Sequence, residues 1–152
     1  MEALGFRIVT SAQELDFLHE WFRDDETRYR MKGMLPLPRY ISYALSVPTY
    51  RLKVAVLDGM TIGLIAFELH PEDAYFAIIV APNCRNIGYG RRMISTALTL
   101  PELVTRKVIA DCAVDNVASI RCFIGAGFSA AKRTNSANDF VSLFCPARVI
   151  TT

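Results

Sequence analysis

Residues 77–98 read AIIVAPNCRNIGYGRRMISTAL. The stretch opens with the strand formers Ala77, Ile78, Ile79 and Val80, turns at Pro82 and Asn83, and passes through Arg85, Gly88 and Gly90 into helical periodicity. That order is strand, tight loop, helix. The two glycines let backbone N–H groups approach a ligand where a Cβ would obstruct them. A helix beginning near Gly88 presents unpaired N–H groups from about Ile87 to Arg91 and the positive end of its dipole, a seat for a phosphate or pyrophosphate. No Lys-Ser or Lys-Thr follows the last glycine and the spacing is not G-x-G-x-x-G, so this is neither a nucleoside-triphosphate loop nor a dinucleotide turn. Two readings stand on the loop alone: R-x-x-G-x-G as an anion grip, or a Gly-containing connection in an α/β domain.

A second stretch separates them. Asn116 to Phe128 reads NVASIRCFIGAGF: an Asn, a helix with an aromatic near its end, then Gly-Phe. Gly127 suits a left-handed helix C-cap, after which Phe128 drops into the core. The two segments, in this order and about 30 residues apart, resemble the GNAT family of N-acetyltransferases over roughly Leu52 to Phe128. The resemblance implies one α/β (α+β) domain over residues 1–152. Its mixed, mostly antiparallel sheet has about seven strands with helices on both faces, and the strands flanking the helix after the loop splay apart to admit pantetheine. It further implies acetyl-CoA as co-substrate. Arg85, Asn86, Ile87, Gly88, Tyr89, Gly90 and Arg91 surround the pyrophosphate, Ile79 and Val80 run beside the pantetheine like an added strand, Asn116 contacts or positions that arm, and Phe123 is counted with them among the cofactor-binding residues. Arg91 and Arg92 have an equal reading as solvated helix charges.

Composition agrees with a globular chain. The 152 residues are 52% hydrophobic and 21% charged, with a net charge of +2, too small and too scattered to argue for nucleic acid. No apolar run reaches membrane-spanning length and the N-terminus lacks a secretory pattern, so the expectation is a cytoplasmic protein with no membrane partner. Cys84, Cys112, Cys122 and Cys145 form no C-x-x-C pair and have no nearby His, which suggests neither a metal site nor a disulfide framework.

Along the chain, Gly5–Val9 reads as a strand, and Ser11 with Glu14 as a capping box for a helix whose apolar face carries Leu15, Leu18, Trp21 and Phe22. Residues 23–40 hold a second short helix and a loop, and a third helix starts at Pro38 or Arg39 and runs to about Leu45. Tyr50–Leu57 and Met60–Leu69 form a hairpin about Asp58-Gly59, and Tyr75–Val80 completes an antiparallel meander. After the helix ending near Leu100, Pro101 breaks the chain. A strand within Val104–Val114, a helix from Asn116 to Ala126, a strand from Phe128, a turn at 135–138 and a strand Phe140–Cys145 follow.

Acetyl transfer to an amine needs a base, an oxyanion donor and a leaving thiolate. Glu68, on a face shared with Met60, Ile62, Leu64 and Ala66, is the candidate general base, with a structural role as the alternative; His70, Glu72 and Asp73 read equally as turn residues. A backbone amide near Ile79 or Val80 is the expected oxyanion donor. Many relatives carry a tyrosine where this chain has Phe123, so the proton for the thiolate comes from elsewhere (Tyr89 or Cys122), or the thiolate leaves unaided. Cys122 itself reads as a small core residue rather than a nucleophile. The acceptor is a primary amine of a small molecule or peptide, which Asp24, Asp25 and Glu26 could attract; the same three could instead favour a helix N-terminus. The alternative function is a coenzyme A binding or sensing module with little turnover. In some relatives the last strand pairs across a homodimer.

Overall fold

The computed structural model describes residues 3–130 and 139–148. The turn expected at 135–138 lies outside them. Strand β1 (Leu4–Ile8) ends in a turn where the Glu14 carboxylate accepts from the Thr10 and Ser11 N–H groups at 3.1 and 2.9 Å. The first helix is interrupted: a 3-10 turn (Ala12–Leu15) gives way to α1 (Phe17–Trp21), yet Leu15, Leu18, Trp21 and Phe22 are all buried as their spacing requires. Then come α2 (Asp25–Arg30), a 3-10 turn (Lys32–Met34) and α3 (Leu37–Ser46). Strands β2 (Tyr50–Leu57) and β3 (Met60–Leu69) meet at Asp58 and Gly59, both with positive φ (52° and 78°), and β4 (Asp73–Val80) closes the meander. Helix α4 (Tyr89–Ala97) follows the loop. Pro101 opens a short helix, α5 (Pro101–Val104), instead of simply breaking the chain; its ring suits the first helical position and Leu103 is fully buried. Strand β5 therefore begins only at Lys107 and runs to Ala113. Helix α6 (Val117–Gly125), β6 (Ser129–Ala130) and β7 (Phe140–Cys145) complete the order.

The seven strands form one sheet, β1-β2-β3-β4-β5-β7-β6, antiparallel except between β4 and β5. Strand alternation sorts the two faces. Tyr50, Glu68 and Tyr75 are register neighbours on one face, where Tyr40 and Tyr43 of α3 meet Tyr50. The opposite face carries Phe67 and Phe76, stacked with centroids 6.4 Å apart, and Phe76 meets Phe123 of α6 edge-on. Helix α4 packs on this second face through Met93. Gly63 makes that possible: a Cβ there would lie 2.6 Å from the Ile79 carbonyl oxygen and 2.4 Å from the end of Met93. Arg148 ties the far ends of α4 and α5 together by donating to the carbonyls of Leu98 (2.9 Å) and Leu103 (2.8 Å).

Met93 is flexible but the Ile79 carbonyl is part of the sheet, so Gly63→Ala cannot be accommodated by a side-chain move alone. The expected cost is about 1–3 kcal/mol, read as a lower urea midpoint at an unchanged m-value. An unshifted midpoint would show that the sheet yields at Gly63.

Candidate active site

The parallel strands β4 and β5 are in register only at Asp73–Lys107, Ala74–Val108 and Tyr75–Ile109. Beyond these pairs both strands continue without pairing to each other, β4 to Val80 and β5 to Ala113. Which β4 residues face the gap follows from three bonds. Lys107 donates to the Glu72 carbonyl (3.0 Å), whereas the Asp73 carbonyl accepts from His70 and the Ala81 N–H donates to Ile62 (2.9 Å each). Main-chain groups alternate sides along a strand, so odd-numbered residues bond towards β3 and even-numbered ones towards β5. Ile78 and Val80 thus offer their N–H and C=O groups to the split. The Ile79 main chain turns to β3 and its side chain is buried.

The split leads directly into the loop. Asn86 (φ 65°) and Gly88 (φ 90°) hold left-handed conformations that swing the chain into α4, whose first-turn N–H groups have no partner within the helix. Gly90 permits close packing: a Cβ there would stand 3.1 Å from the Cys122 sulfur and 3.4 Å from Val80 Cγ2. The flanking side chains lie elsewhere. Ile87 is 62% exposed, Arg91 packs over Gly125, and the Arg92 guanidinium sits 6.0 Å from the centre of the Tyr89 ring.

Helix α2 crosses the open side of the split and is pinned on both lips. Arg85, from the loop, donates to Asp24 Oδ2 (2.9 Å) and Thr27 Oγ1 (2.5 Å). Asp24 is the N-cap of α2 and also accepts from the Thr27 N–H at 2.9 Å. At the other end Arg30 donates to Asp115 Oδ1 (2.8 Å), on the turn between β5 and α6, and to Glu26 (2.9 Å). Beneath this roof lies a groove of about 390 Å³ whose walls include Ile78, Val80, Gly88, Gly90, Asn116 and Cys122. The groove thus brings together Ile79, Val80, Arg85, Asn86, Gly88, Gly90 and Asn116, together with Glu26, from the residues singled out in the sequence, and adds Thr27 and Arg30 of α2 and Met31 just after it, which were not. The i,i+4 spacing of Glu26 and Arg30 was legible; their distant partners were not.

Asn116 caps α6, its side-chain oxygen accepting from the Ser119 N–H at 3.3 Å, and so stands at the groove wall in a fixed orientation. Phe123 is 2% exposed and packs edge-on against Phe76 and Phe128, in the core rather than on the groove wall. Burial pushes the Cys122 thiol up, with the Arg91 main chain opposing, and burial does the same to Cys112; neither thiol is activated as a nucleophile. Glu68 is half-buried on the α3 face. Next to it, the hydroxyls of Tyr40 and Tyr50 are 2.6 Å apart. Burial raises both tyrosines, so these hydroxyls stay protonated as hydrogen-bonding groups. Asp24, Asp25 and Glu26 are each matched with an arginine: Arg85, Arg28 and Arg30. Among the described residues no cluster of His, Cys, Asp or Glu could hold a metal ion, and no helix is long and apolar enough to cross a membrane.

A mixed seven-stranded sheet that parts between β4 and β5 beside a glycine loop and an open helix N-terminus defines an acyl-CoA N-acyltransferase fold. Comparison with known proteins agrees. Residues 15–128 match the model of the Acetyltransferase (GNAT) family. An uncharacterized N-acetyltransferase, YfmK of Bacillus subtilis, is 30% identical over 137 residues, covering 89% of this chain and 92% of the relative. The chain belongs to the GNAT family and is an acetyl-CoA-dependent acetyltransferase. Among solved structures, spermidine N-acetyltransferase from Vibrio cholerae, in complex with CoA and spermine, superposes with a TM-score of 0.76 at 20% identity over 95% of each chain. AAC(6')-Ib in complex with paromomycin and acetyl-CoA gives 0.75 at 18% identity, over 96% of this chain and 94% of that one. At these identities the likeness is one of fold.

The pins of α2 depend on ionised carboxylates. The Thr27 N–H and then Arg85 hold Asp24 below the usual carboxylate range, and Arg30 does so for Asp115. A depressed folded-state value means that the contribution is complete above the unfolded value, about pH 4, and is lost as pH falls through the folded one. Amide exchange in residues 25–31 should therefore accelerate below about pH 4, ahead of exchange in β2 and β3. Protection of α2 that persists in parallel with the sheet to pH 3 would show that the pins contribute nothing.

Proposed function

We propose that the protein transfers the acetyl group of acetyl-CoA to a primary amine of a small molecule, by direct attack within a ternary complex. The observation that carries this reading is the continuity of the split with the loop: the unpaired strand edge at Ile78 and Val80 runs into the open N-terminus of α4. Bound there, acetyl-CoA supplies a thioester carbonyl ready for attack. The first-turn N–H groups of α4 would hold the pyrophosphate, with the dipole reinforcing them. Ile78 and Val80 would pair with the amides of the pantetheine arm as with an added strand. Arg85 acts differently from a freely mobile phosphate ligand, since Asp24 and Thr27 fix two of its nitrogens; it sets the loop against α2 and keeps its remaining N–H groups for an anion. Arg121, on the groove rim, adds a cation from α6.

The split closes at Tyr75 and Ile109, so the arm ends there, about 16 Å of strand from Val80. Glu68 is the register neighbour of Tyr75 and thus lies beside the end of the arm. Its carboxylate, directly or through one water, takes the proton that the ammonium must lose. The nitrogen lone pair then attacks the carbonyl carbon, a C–N bond forms, and the C–S bond breaks. A main-chain N–H of β4 in the split is the oxyanion donor. Phe123 offers no hydroxyl and is sealed in the core, so the thiolate leaves without a side-chain acid and takes its proton from water, which a thiol of pKa near 8.5 tolerates. Spermine and paromomycin, bound by two proteins of this fold, both carry primary amines, which supports a small-molecule acceptor over a peptide.

Thermal unfolding with and without acetyl-CoA, with ATP and NAD as controls, tests the donor site. Acetyl-CoA at about 100 times its Kd should add roughly 2.7 kcal/mol and raise the midpoint by several degrees. Glu68→Gln should keep that shift while lowering kcat by about 10²-fold or more, and Cys122→Ser should leave kcat within about threefold. A shift without thiol release on any amine would instead mark a coenzyme A sensor.

A further inference from the structure

The acceptor's chemistry can be read one step further, on the acetyl-transfer reading above. The rim of the α3 face is electrically balanced. Glu20, Asp24, Asp25 and Glu26 are paired with Arg23, Arg85, Arg28 and Arg30, four acids with four arginines, so no strip of open carboxylates remains along α1 and α2 to hold a polycation. Where the split closes, the surface changes character. Tyr43 is 45% exposed and Tyr75 48%, Tyr50 lies between them, and the Tyr43 and Tyr50 rings meet edge-on at 5.4 Å. Behind them the Tyr40–Tyr50 hydroxyl pair fixes Tyr50, one O–H donating to the other and the second keeping its proton for a further acceptor. His70 braces Tyr75 from the other side, edge-on at 5.6 Å.

Within this aromatic ledge stands one carboxylate, Glu68, in register with both Tyr50 and Tyr75. None of the ion pairs among the described residues involves it. Asp73, on the same side of β4, stands in register with Lys107 of β5. One carboxylate flanked in register by tyrosines matches one ammonium: Glu68 would supply the counter-charge, and the neighbouring rings a π surface for the cation and an apolar surface for its body.

We propose that the acceptor is an amine bearing a single positive charge on an aromatic or otherwise apolar body, and that Tyr43, Tyr50 and Tyr75 together with Glu68 select it over polyamines and aminoglycosides. The ledge would deliver the ammonium to Glu68 at the point where the arm ends, so recognition and deprotonation fall on one carboxylate. A second ammonium on the same molecule would meet tyrosine or an arginine-matched acid and gain little.

The test is thiol release from acetyl-CoA by the purified full-length protein with phenethylamine, spermidine and kanamycin, beside the acetyl-CoA thermal shift. The expected result is a kcat/KM for phenethylamine at least about tenfold above the other two, with Tyr43→Leu and Tyr75→Leu each raising its KM by about fivefold and changing kcat by less than about twofold. Leucine retains apolar area but not a π-face, and both sites are half exposed, so the variants should fold; their unfolding midpoints check this. A thermal shift with spermidine or kanamycin preferred, with no turnover of phenethylamine, or with silent tyrosine variants, overturns the acceptor assignment and leaves acetyl transfer standing. Absence of any acetyl-CoA shift removes both.

Discussion

The rest of the molecule depends on how briefly β4 and β5 stay together. Three register pairs hold them, then the strands part while each remains anchored elsewhere, β4 to β3 over seven positions and β5 to β7 over six. An interior sheet edge with free N–H and C=O groups is costly unless something satisfies it. The fold keeps one here because β2 and β3 are paired along both sides and the two faces of the sheet are covered, by α4 and α6 on one side and by α3 with its 3-10 neighbours on the other. The opening is a local concession within an otherwise well-paired sheet, and it terminates at the helix N-terminus whose N–H groups are also without partners. Two kinds of unmet hydrogen-bonding demand thus lie end to end. A ligand with amides at one end and phosphate at the other meets both.

Close packing makes that arrangement rigid. Gly63 lets Met93 seat α4 on the sheet, and Gly90 brings the start of the same helix against Cys122 and Val80. The turn that opens α4 therefore rests on core contacts, not on a free loop. Helix α2 is different in kind. It has six residues, of which Thr27 is buried, and its position over the groove rests on Arg85 reaching its N-cap Asp24 from one lip and on its own Arg30 reaching Asp115 on the other. Ion pairs at partly exposed sites are individually weak. The roof of the groove should accordingly be its least stable wall, which suits a part that a cofactor must pass.

Much of this was legible in the sequence, and the reason differs from element to element. Asp58-Gly59 marked the hairpin so firmly that Tyr50–Leu57 and Met60–Leu69 have the expected ends, because only residues tolerant of positive φ fit that turn. Gly127, at φ 108°, ends the segment of α6 as a C-cap glycine should. What local patterns could not show is anything set by contacts far apart along the chain. Asp24 and Arg85 are 61 residues apart and Arg30 and Asp115 are 85 apart, so the roof over the groove had no local signature. Asp24, Asp25 and Glu26 looked like an open acidic cluster because their arginines come from elsewhere or from the next turn. The parity of β4 was hidden too: whether Ile79 or Ile78 turns its main chain to the split depends on which side β3 lies, and hydrophobic alternation records side chains only.

Phe123 shows how a sequence position and a structural role can separate. Its place in the Asn116–Phe128 segment is the one where many relatives of the family carry a hydroxyl, yet its ring is clamped between Phe76 and Phe128 with almost no exposure. A phenol in that orientation would have to find a partner in an apolar core or pay the cost of burying an unbonded hydroxyl. Phenylalanine resolves the conflict in favour of packing, and the edge-on cluster of three rings helps to hold α6, and with it Asn116 and Cys122, against the split. On the proposed mechanism the chemistry belongs to the other face of the sheet. There Tyr40 and Tyr50 keep their protons and Glu68 is the acid in register with the end of the split; in the proposed reaction the energetic demand would fall on removing a proton from the amine rather than on delivering one to the sulfur.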